Sequence, residues 1–144
     1  MKKSIHAEIT INTSAAKAWN LLMNFDAYTK WNPFITSISG NAKPGEKLEV
    51  SIHPPEGAAM KFKPVVKKVE KNTSFHWRGT LGIPGLFDGT HKFEIETINE
   101  NQIRLTQSEN FFGILVPFLD LSKTEKGFIT MNEAMKKLLE SNLT

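Results

Sequence analysis

Six stretches between residues 35 and 112 have the composition and alternation of β-strands, and one amphipathic helix of about 20 residues follows them. Clusters of Gly, Pro and Asn separate the six stretches as turns. A long antiparallel meander twists and curls, and its apolar face needs a cover. The final helix, which begins at Ser122, is long enough to provide that cover. The sequence therefore predicts an α+β fold in which a curved antiparallel sheet grips one C-terminal helix.

The N-terminal region completes the expected order of elements. Residues 5–11 alternate apolar and polar side chains, as a half-buried strand does. Thr13 or Ser14 can then cap a helix, and a second short helix ends before Pro33. The predicted order is β-αα-β6-α, with about seven strands in one domain that spans residues 1–144.

Composition excludes several classes of function. The chain of 144 residues has no cysteine and a net charge of +3, so we expect neither thiol chemistry nor nucleic-acid binding. Its four histidines lack the spacing of metal ligands, and we therefore expect no metal and no cofactor. The sequence has no apolar run long enough for a membrane span and no apolar run after its first lysines. We expect a cytoplasmic protein without an integral membrane segment.

One cross-strand charge pair fixes the register of the last hairpin, residues 86–112. A slip by one residue would turn Arg104 into the core. Pairs whose numbers sum to 200 avoid this and set Glu96 opposite Arg104 on the solvent face. The same register predicts that His91 faces Glu109 on the inward side.

The His91–Glu109 pair is the most chemically suggestive arrangement in the sequence. A buried carboxylate is costly by itself, and an imidazole opposite to it lowers that cost. Three interpretations stay open. The pair can be structural, can recognise the polar end of a ligand, or can act as a general acid and base.

Two nearly uncharged stretches, residues 81–89 and 113–121, lead into and out of one end of this hairpin. Their apolar side chains can plug the end of the core, or they can form a mobile rim around a ligand entrance. We favour the rim, because Gly82, Gly85 and Gly113 can serve as hinges. The predicted entrance residues are Ile83, Leu86, Leu115 and Phe118.

Four segments of the chain resemble a known superfamily: "AWNLLMNFDAYTKWNPFI", "FDGTHKFEIE", "TQSENFFGILVPF" and "GFITMNEAMKKLLE". They are similar to the SRPBCC proteins, the START-related helix-grip superfamily, in its bacterial polyketide cyclase/dehydrase-like branch. This resemblance implies a deep cavity between sheet and C-terminal helix, commonly used for lipids, polyketides or other apolar molecules. It implies no single activity, because carriers, receptors, cyclases and hydrolase activators share the fold. It marks as pocket or entrance positions Trp31, Asn32, Phe34, Asp88 and His91.

The leading hypothesis is therefore binding of a small hydrophobic molecule in an internal cavity. The predicted apolar lining consists of Trp31, Phe34, Val50, Phe62, Phe75, Trp77, Phe87, Phe93, Phe111, Met131 and Met135. The predicted polar contacts are His91, Gln107 and Glu109. One alternative is a cyclase, dehydratase or hydrolase in which His91 and Glu109 act as acid and base. Another is a protein-interaction module or homodimer that uses the apolar rim, and the sequence leaves monomer and homodimer open.

Overall fold

A computed structural model describes residues 2–80, 85, 88–116 and 120–141 of the chain. Within these residues, eight strands and three α-helices follow one another. The strands are β1 (Lys2–Ile11), β2 (Ile35–Ser39), β3 (Glu49–Ile52), β4 (Met60–Phe62), β5 (Val65–Glu70), β6 (Ser74–Thr80), β7 (Asp88–Asn99) and β8 (Gln102–Phe112). The helices are α1 (Ala15–Met23), α2 (Tyr28–Trp31) and α3 (Ser122–Ser141), and a 3₁₀ turn (Phe25–Ala27) precedes α2.

The strands form two antiparallel sheets that continue each other. One sheet has the order β1-β8-β7-β6-β5, and the other has the order β2-β3-β4. Residues 45–48 join them along β5: the Gly45 N–H donates to Val66 O at 2.8 Å and the Leu48 N–H donates to Pro64 O at 2.9 Å. The sequence predicted about seven strands and the structure has eight, because the stretch from Met60 to Glu70 is divided into β4 and β5. Pro64 has no N–H to donate to a ladder, and the strand breaks there.

The predicted register of the last hairpin is confirmed. Glu96 pairs with Arg104 and His91 pairs with Glu109, and the numbers of each pair sum to 200. Arg104 Nη1 donates to Glu96 Oε1 at 3.1 Å. The register shifts only after Thr97, next to the turn. Both inward positions of interest are therefore held by a continuous ladder.

Side-chain caps set the path of the chain between β1 and β2. Ser14 caps α1, since its Oγ accepts from the Lys17 N–H at 3.2 Å. The Asn32 Oδ1 accepts from the backbone N–H groups of Phe34 and Ile35, at 3.0 and 2.9 Å. This turn ends α2 and starts β2, with the Phe34 side chain buried next to α3.

Helix α3 lies against β1 and covers the inward face of the sheet. Lys136 Nζ donates to Thr10 O at 2.8 Å, and the Asn12 N–H donates to Glu140 Oε2 at 2.9 Å. The buried face of α3 consists of Gly127, Phe128, Met131, Asn132, Met135 and Leu139. The predicted α+β fold, a curved sheet around a C-terminal helix, is confirmed. Within the described ranges, no helix has the length and hydropathy that a membrane crossing requires.

Candidate functional site

A cavity of about 310 Å³ lies between the two sheets and the first turn of α3. This volume is at the lower end of the range for sites that hold small organic molecules. Most of the lining is apolar, with few polar groups. The lining residues are Phe34, Ile35, Ile52, Met60, Phe62, Trp77, Gly79, Thr80, Gly89, His91, Glu109, Phe111, Leu115, Asp120, Leu121 and Thr124.

Two facing glycines make room for this cavity. Gly79 on β6 pairs with Gly89 on β7, and both line the cavity. A Cβ at Gly79 would lie 3.4 Å from Phe62 Cδ2, an ordinary contact, whereas a Cβ at Gly89 would collide with Glu109 Oε2. The cavity wall is therefore set back at Gly79 and Gly89, where the alternation of side chains along a strand would otherwise place two inward side chains.

His91 and Glu109 lie at the boundary between this cavity and the packed core. His91 Nδ1 and Glu109 Oε1 are 3.2 Å apart, and their side chains are 3% and 16% exposed. The imidazole ring also contacts the rings of Phe93 and Phe128, with centroid distances of 4.5 and 4.7 Å. The imidazole is thus fixed by packing, while the Glu109 carboxylate extends over Gly89 into the cavity.

A chain of buried side-chain hydrogen bonds continues from His91 away from the cavity. His91 Nε2 lies 3.1 Å from Gln107 Oε1, and Gln107 Nε2 donates to Asn132 Oδ1 at 2.8 Å. Asn132 Nδ2 donates to Ala7 O at 3.2 Å. Gln107 is 0% exposed and Asn132 is 2% exposed. These hydrogen bonds therefore connect the cavity wall to β1 through Asn132, in the middle of α3.

Asp88 fixes the position of Gly85, which in turn contacts the second apolar stretch. Arg78 Nη2 and the Gly85 N–H donate to its Oδ2 at 2.9 and 3.1 Å. Burial raises the pKa of Asp88, but the hydrogen bonds from Arg78, Gly85 and Thr80 outweigh burial and hold that pKa below its ordinary value. The Ile114 N–H in turn donates to Gly85 O at 3.2 Å. The described parts of the two stretches therefore meet, as the sequence predicted.

The sequence profile of a family described as "Polyketide cyclase / dehydrase and lipid transport" matches residues 2–144. The chain belongs to this family. The resemblance to the START-related SRPBCC superfamily is thereby confirmed. No curated protein matches the sequence significantly.

Solved structures of other proteins have the same fold. The Zhui aromatase/cyclase from Streptomyces sp. R1128 has a TM-score of 0.79 at 10% identity, covering 100% of this chain and 97% of that one. A START superfamily protein from Mycobacterium smegmatis has a TM-score of 0.73 at 16% identity, with coverages of 96% and 97%. The major latex-like protein 151 from Panax ginseng has a TM-score of 0.78 at 12% identity, with the same two coverages.

Of the predicted binding and entrance residues that the structure describes, half lie on the cavity wall. Those that line it are Phe34, Phe62, Trp77, His91, Glu109, Phe111 and Leu115. The other described ones lie elsewhere: Trp31, Val50, Phe75, Phe93, Gln107, Met131 and Met135. Four further predictions, Ile83, Leu86, Phe87 and Phe118, fall outside the described residues. The mobile rim therefore stays a prediction.

Met131 and Met135, which the sequence placed on the cavity wall, lie in the packed core instead. Met131 and Met135 are 0% exposed, and aromatic side chains fill the space next to them. The rings of Phe75 and Phe93 stack at 5.9 Å in this region. Trp31 instead packs against Tyr28, with a centroid distance of 5.5 Å. The space for a ligand lies nearer the N-terminal end of α3, where the inward positions are glycines.

Two features of the site were not predicted, although the sequence pattern indicates both. Gly79 and Gly89 are both inward positions, and their pairing creates the space. Asn132 lies four residues after Phe128, so it falls on the buried face of α3. Other residues of the lining that were not predicted are Ile35, Ile52, Met60, Thr80, Asp120, Leu121 and Thr124. In the part of the chain that is described, no three His, Asp or Glu side chains are grouped as a metal site requires.

Proposed function

We propose that this protein binds a small, largely apolar molecule in the cavity between its sheets and α3. The observation that carries the proposal is a cavity of about 310 Å³ whose wall is mostly apolar. Burial of apolar ligand surface contributes roughly 25 cal/mol per Å² before the entropic cost of association. The few polar groups on the wall then orient the ligand.

The comparisons support this proposal at the level of the family. Its description includes lipid transport, and one similar structure is an aromatase/cyclase. Both activities need an enclosed apolar site of the kind found here. The fold alone does not choose between a carrier and an enzyme, whereas the cavity and its polar groups favour binding.

Native mass spectrometry of the freshly purified protein tests binding directly. We expect a co-purifying small molecule, or retention of an added apolar probe such as 2-naphthol. Gly79→Leu should abolish this retention, because its side chain would extend into the cavity. Thr97→Leu, at an exposed position of β7, is the matched control and should bind as wild type does. A wild-type protein that retains neither kind of molecule would contradict the proposal.

A second candidate function is acid–base catalysis on a bound carbonyl compound. The specific observation is the hydrogen-bonded His91–Glu109 pair at the wall of the cavity, with Glu109 on the ligand side. A general acid or base must be within hydrogen-bond reach of its substrate, and this position provides that reach. The reaction would be a cyclisation, dehydration or hydrolysis.

Glu109→Gln separates the binder from the enzyme. An amide can hydrogen-bond to His91, so we expect the free energy of unfolding to change by only about 1–2 kcal/mol and apolar probes still to bind. In the enzyme, turnover of lactone, ester or polyketide-like substrates would fall by roughly 10²-fold or more. Steady-state assays of both proteins on such a panel provide the measurement. Wild-type turnover that the substitution abolishes would overturn our preference for a binder.

A further inference from the structure

The hydrogen-bond chain behind the cavity has a fixed direction, set by a backbone carbonyl. Ala7 O can only accept, so Asn132 must present its amide nitrogen Nδ2 to it. The Asn132 Oδ1 then faces Gln107, which must donate through Nε2. Each amide in the chain therefore has one permitted orientation.

This direction fixes a hydrogen on His91. Gln107 turns its oxygen, Oε1, towards His91 Nε2, so Nε2 must carry the hydrogen of that bond. The other ring nitrogen, Nδ1, faces Glu109 Oε1 at 3.2 Å. A bond between these two atoms needs one proton, held either as imidazolium with carboxylate or as neutral imidazole with carboxylic acid. In both forms the net charge of the pair is zero.

The remaining carboxyl oxygen of Glu109 is consequently an acceptor in either form. The shared proton lies between Oε1 and Nδ1, so Oε2 carries none. Oε2 lies over Gly89 on the cavity wall. Among the residues that the structure describes, His91 is the one that hydrogen-bonds to this carboxyl group. The neutral pair therefore presents an unshared acceptor to whatever occupies the cavity.

We propose that the ligand of this cavity is a neutral apolar molecule with a hydroxyl group, an alcohol or a phenol, which donates to Glu109 Oε2. The proposal rests on the proposed function and names the class of molecule bound. A carboxylate at the same place would set acceptor against acceptor, and so would an ether or a carbonyl oxygen. Gln107 and Asn132 are positioning residues, because they act on the ligand through His91.

The position of the proton can be measured without any ligand. Nitrogen-15 NMR of the ligand-free wild-type protein at neutral pH should show His91 Nε2 protonated, with the signal assigned by its loss in His91→Gln. Gln107→Leu removes the acceptor of the Nε2 hydrogen, and we expect Nε2 to lose that hydrogen while the proton between Nδ1 and Glu109 stays. Gln102→Leu makes the same change elsewhere on β8 and should leave the signal as in wild type. A wild-type His91 with no hydrogen on Nε2 would overturn the assignment, whether or not Gln107→Leu folds.

Calorimetry with three probes that share a naphthalene ring system tests the ligand class. We expect 2-naphthol to bind at least about tenfold more tightly than 2-methoxynaphthalene, which cannot donate, and 2-naphthoate to bind most weakly. Glu109→Leu should remove the preference for the hydroxyl. Equal affinities, or tightest binding of the carboxylate, would overturn the proposed class while leaving the binding function intact. Binding of none of the three would contradict both, and the NMR result would still decide the proton position.

Discussion

At the scale of the residue, two glycines determine where a carboxylate can lie. Gly79 and Gly89 face each other across β6 and β7, and Glu109 of β8 extends into the space over Gly89. In a regular sheet this space would hold the side chain of residue 89 itself. The carboxylate therefore reaches the cavity because Gly89 on β7 has no side chain and Glu109 on β8 has a long one.

Gly89→Ala should damage the site while preserving the fold. The new methyl group would collide with Glu109 Oε2, the free end of a flexible side chain, so the carboxyl group can move away. We expect affinity for a hydroxyl-bearing probe to fall about tenfold and stability to fall by about 1 kcal/mol. Gly79→Ala is the control, because its Cβ would lie at an ordinary distance from Phe62. Equal effects of the two substitutions on affinity, measured by calorimetry, would contradict this account.

At the scale of the element, the hairpin of β7 and β8 was predictable and the cavity was not. Alternation and the charges of Glu96 and Arg104 determine the register locally, so the sequence alone places His91 opposite Glu109. Which inward side chains pack into the core and which line the cavity depends instead on the packing between elements that are distant in sequence. Met131 and Met135 are buried in one core cluster with aromatic side chains from several elements, and the sequence does not show which of these elements pack together.

The start of β7 should be sensitive to acid through Asp88. Because its pKa is lowered in the folded protein, ionised Asp88 contributes stability at neutral pH, and that contribution is lost as the pH falls through the folded-state pKa. We expect Asp88→Asn to cost about 1 kcal/mol at pH 7, since the bonds from Arg78 and Gly85 weaken. The difference from wild type should shrink below about pH 4.

Denaturant unfolding of both proteins at neutral and acid pH measures this difference. Asp26→Asn, at an exposed position, is the control and should change little at either pH. A cost of Asp88→Asn that is the same at both pH values would show that the charge of Asp88 contributes nothing.

At the scale of the whole molecule, the interior is divided into a packed part and an open part. Of the three tryptophans, Trp19 and Trp31 lie away from the cavity and Trp77 lines it. The body of the core is closed by aromatic and aliphatic side chains, while the space lies at the end where β6, β7 and β8 meet the start of α3. Ligand binding should consequently be reported by one indole alone.

Fluorescence titration with an apolar probe checks this division. The double variant Trp19→Phe, Trp31→Phe should keep the whole change in emission seen in wild type. Trp77→Phe should lose most of that change while retaining binding, measured by calorimetry, within about tenfold, because one ring of the lining is still present. A signal that persists in Trp77→Phe would place the ligand elsewhere.

The first strand of the chain pairs along its length with the last one: Lys3 lies opposite Phe111, and Ile11 lies opposite Ile103. A ribosome that has released β1 must therefore synthesise about a hundred residues before the partner of that strand exists. Until then β1 has no ladder, and its edge is open to other chains. Closing so large a loop is entropically expensive, and folding is slow when many contacts are this distant in sequence. The pairing that holds Ala7 behind the cavity therefore leaves the nascent chain prone to aggregation until β8 has been synthesised.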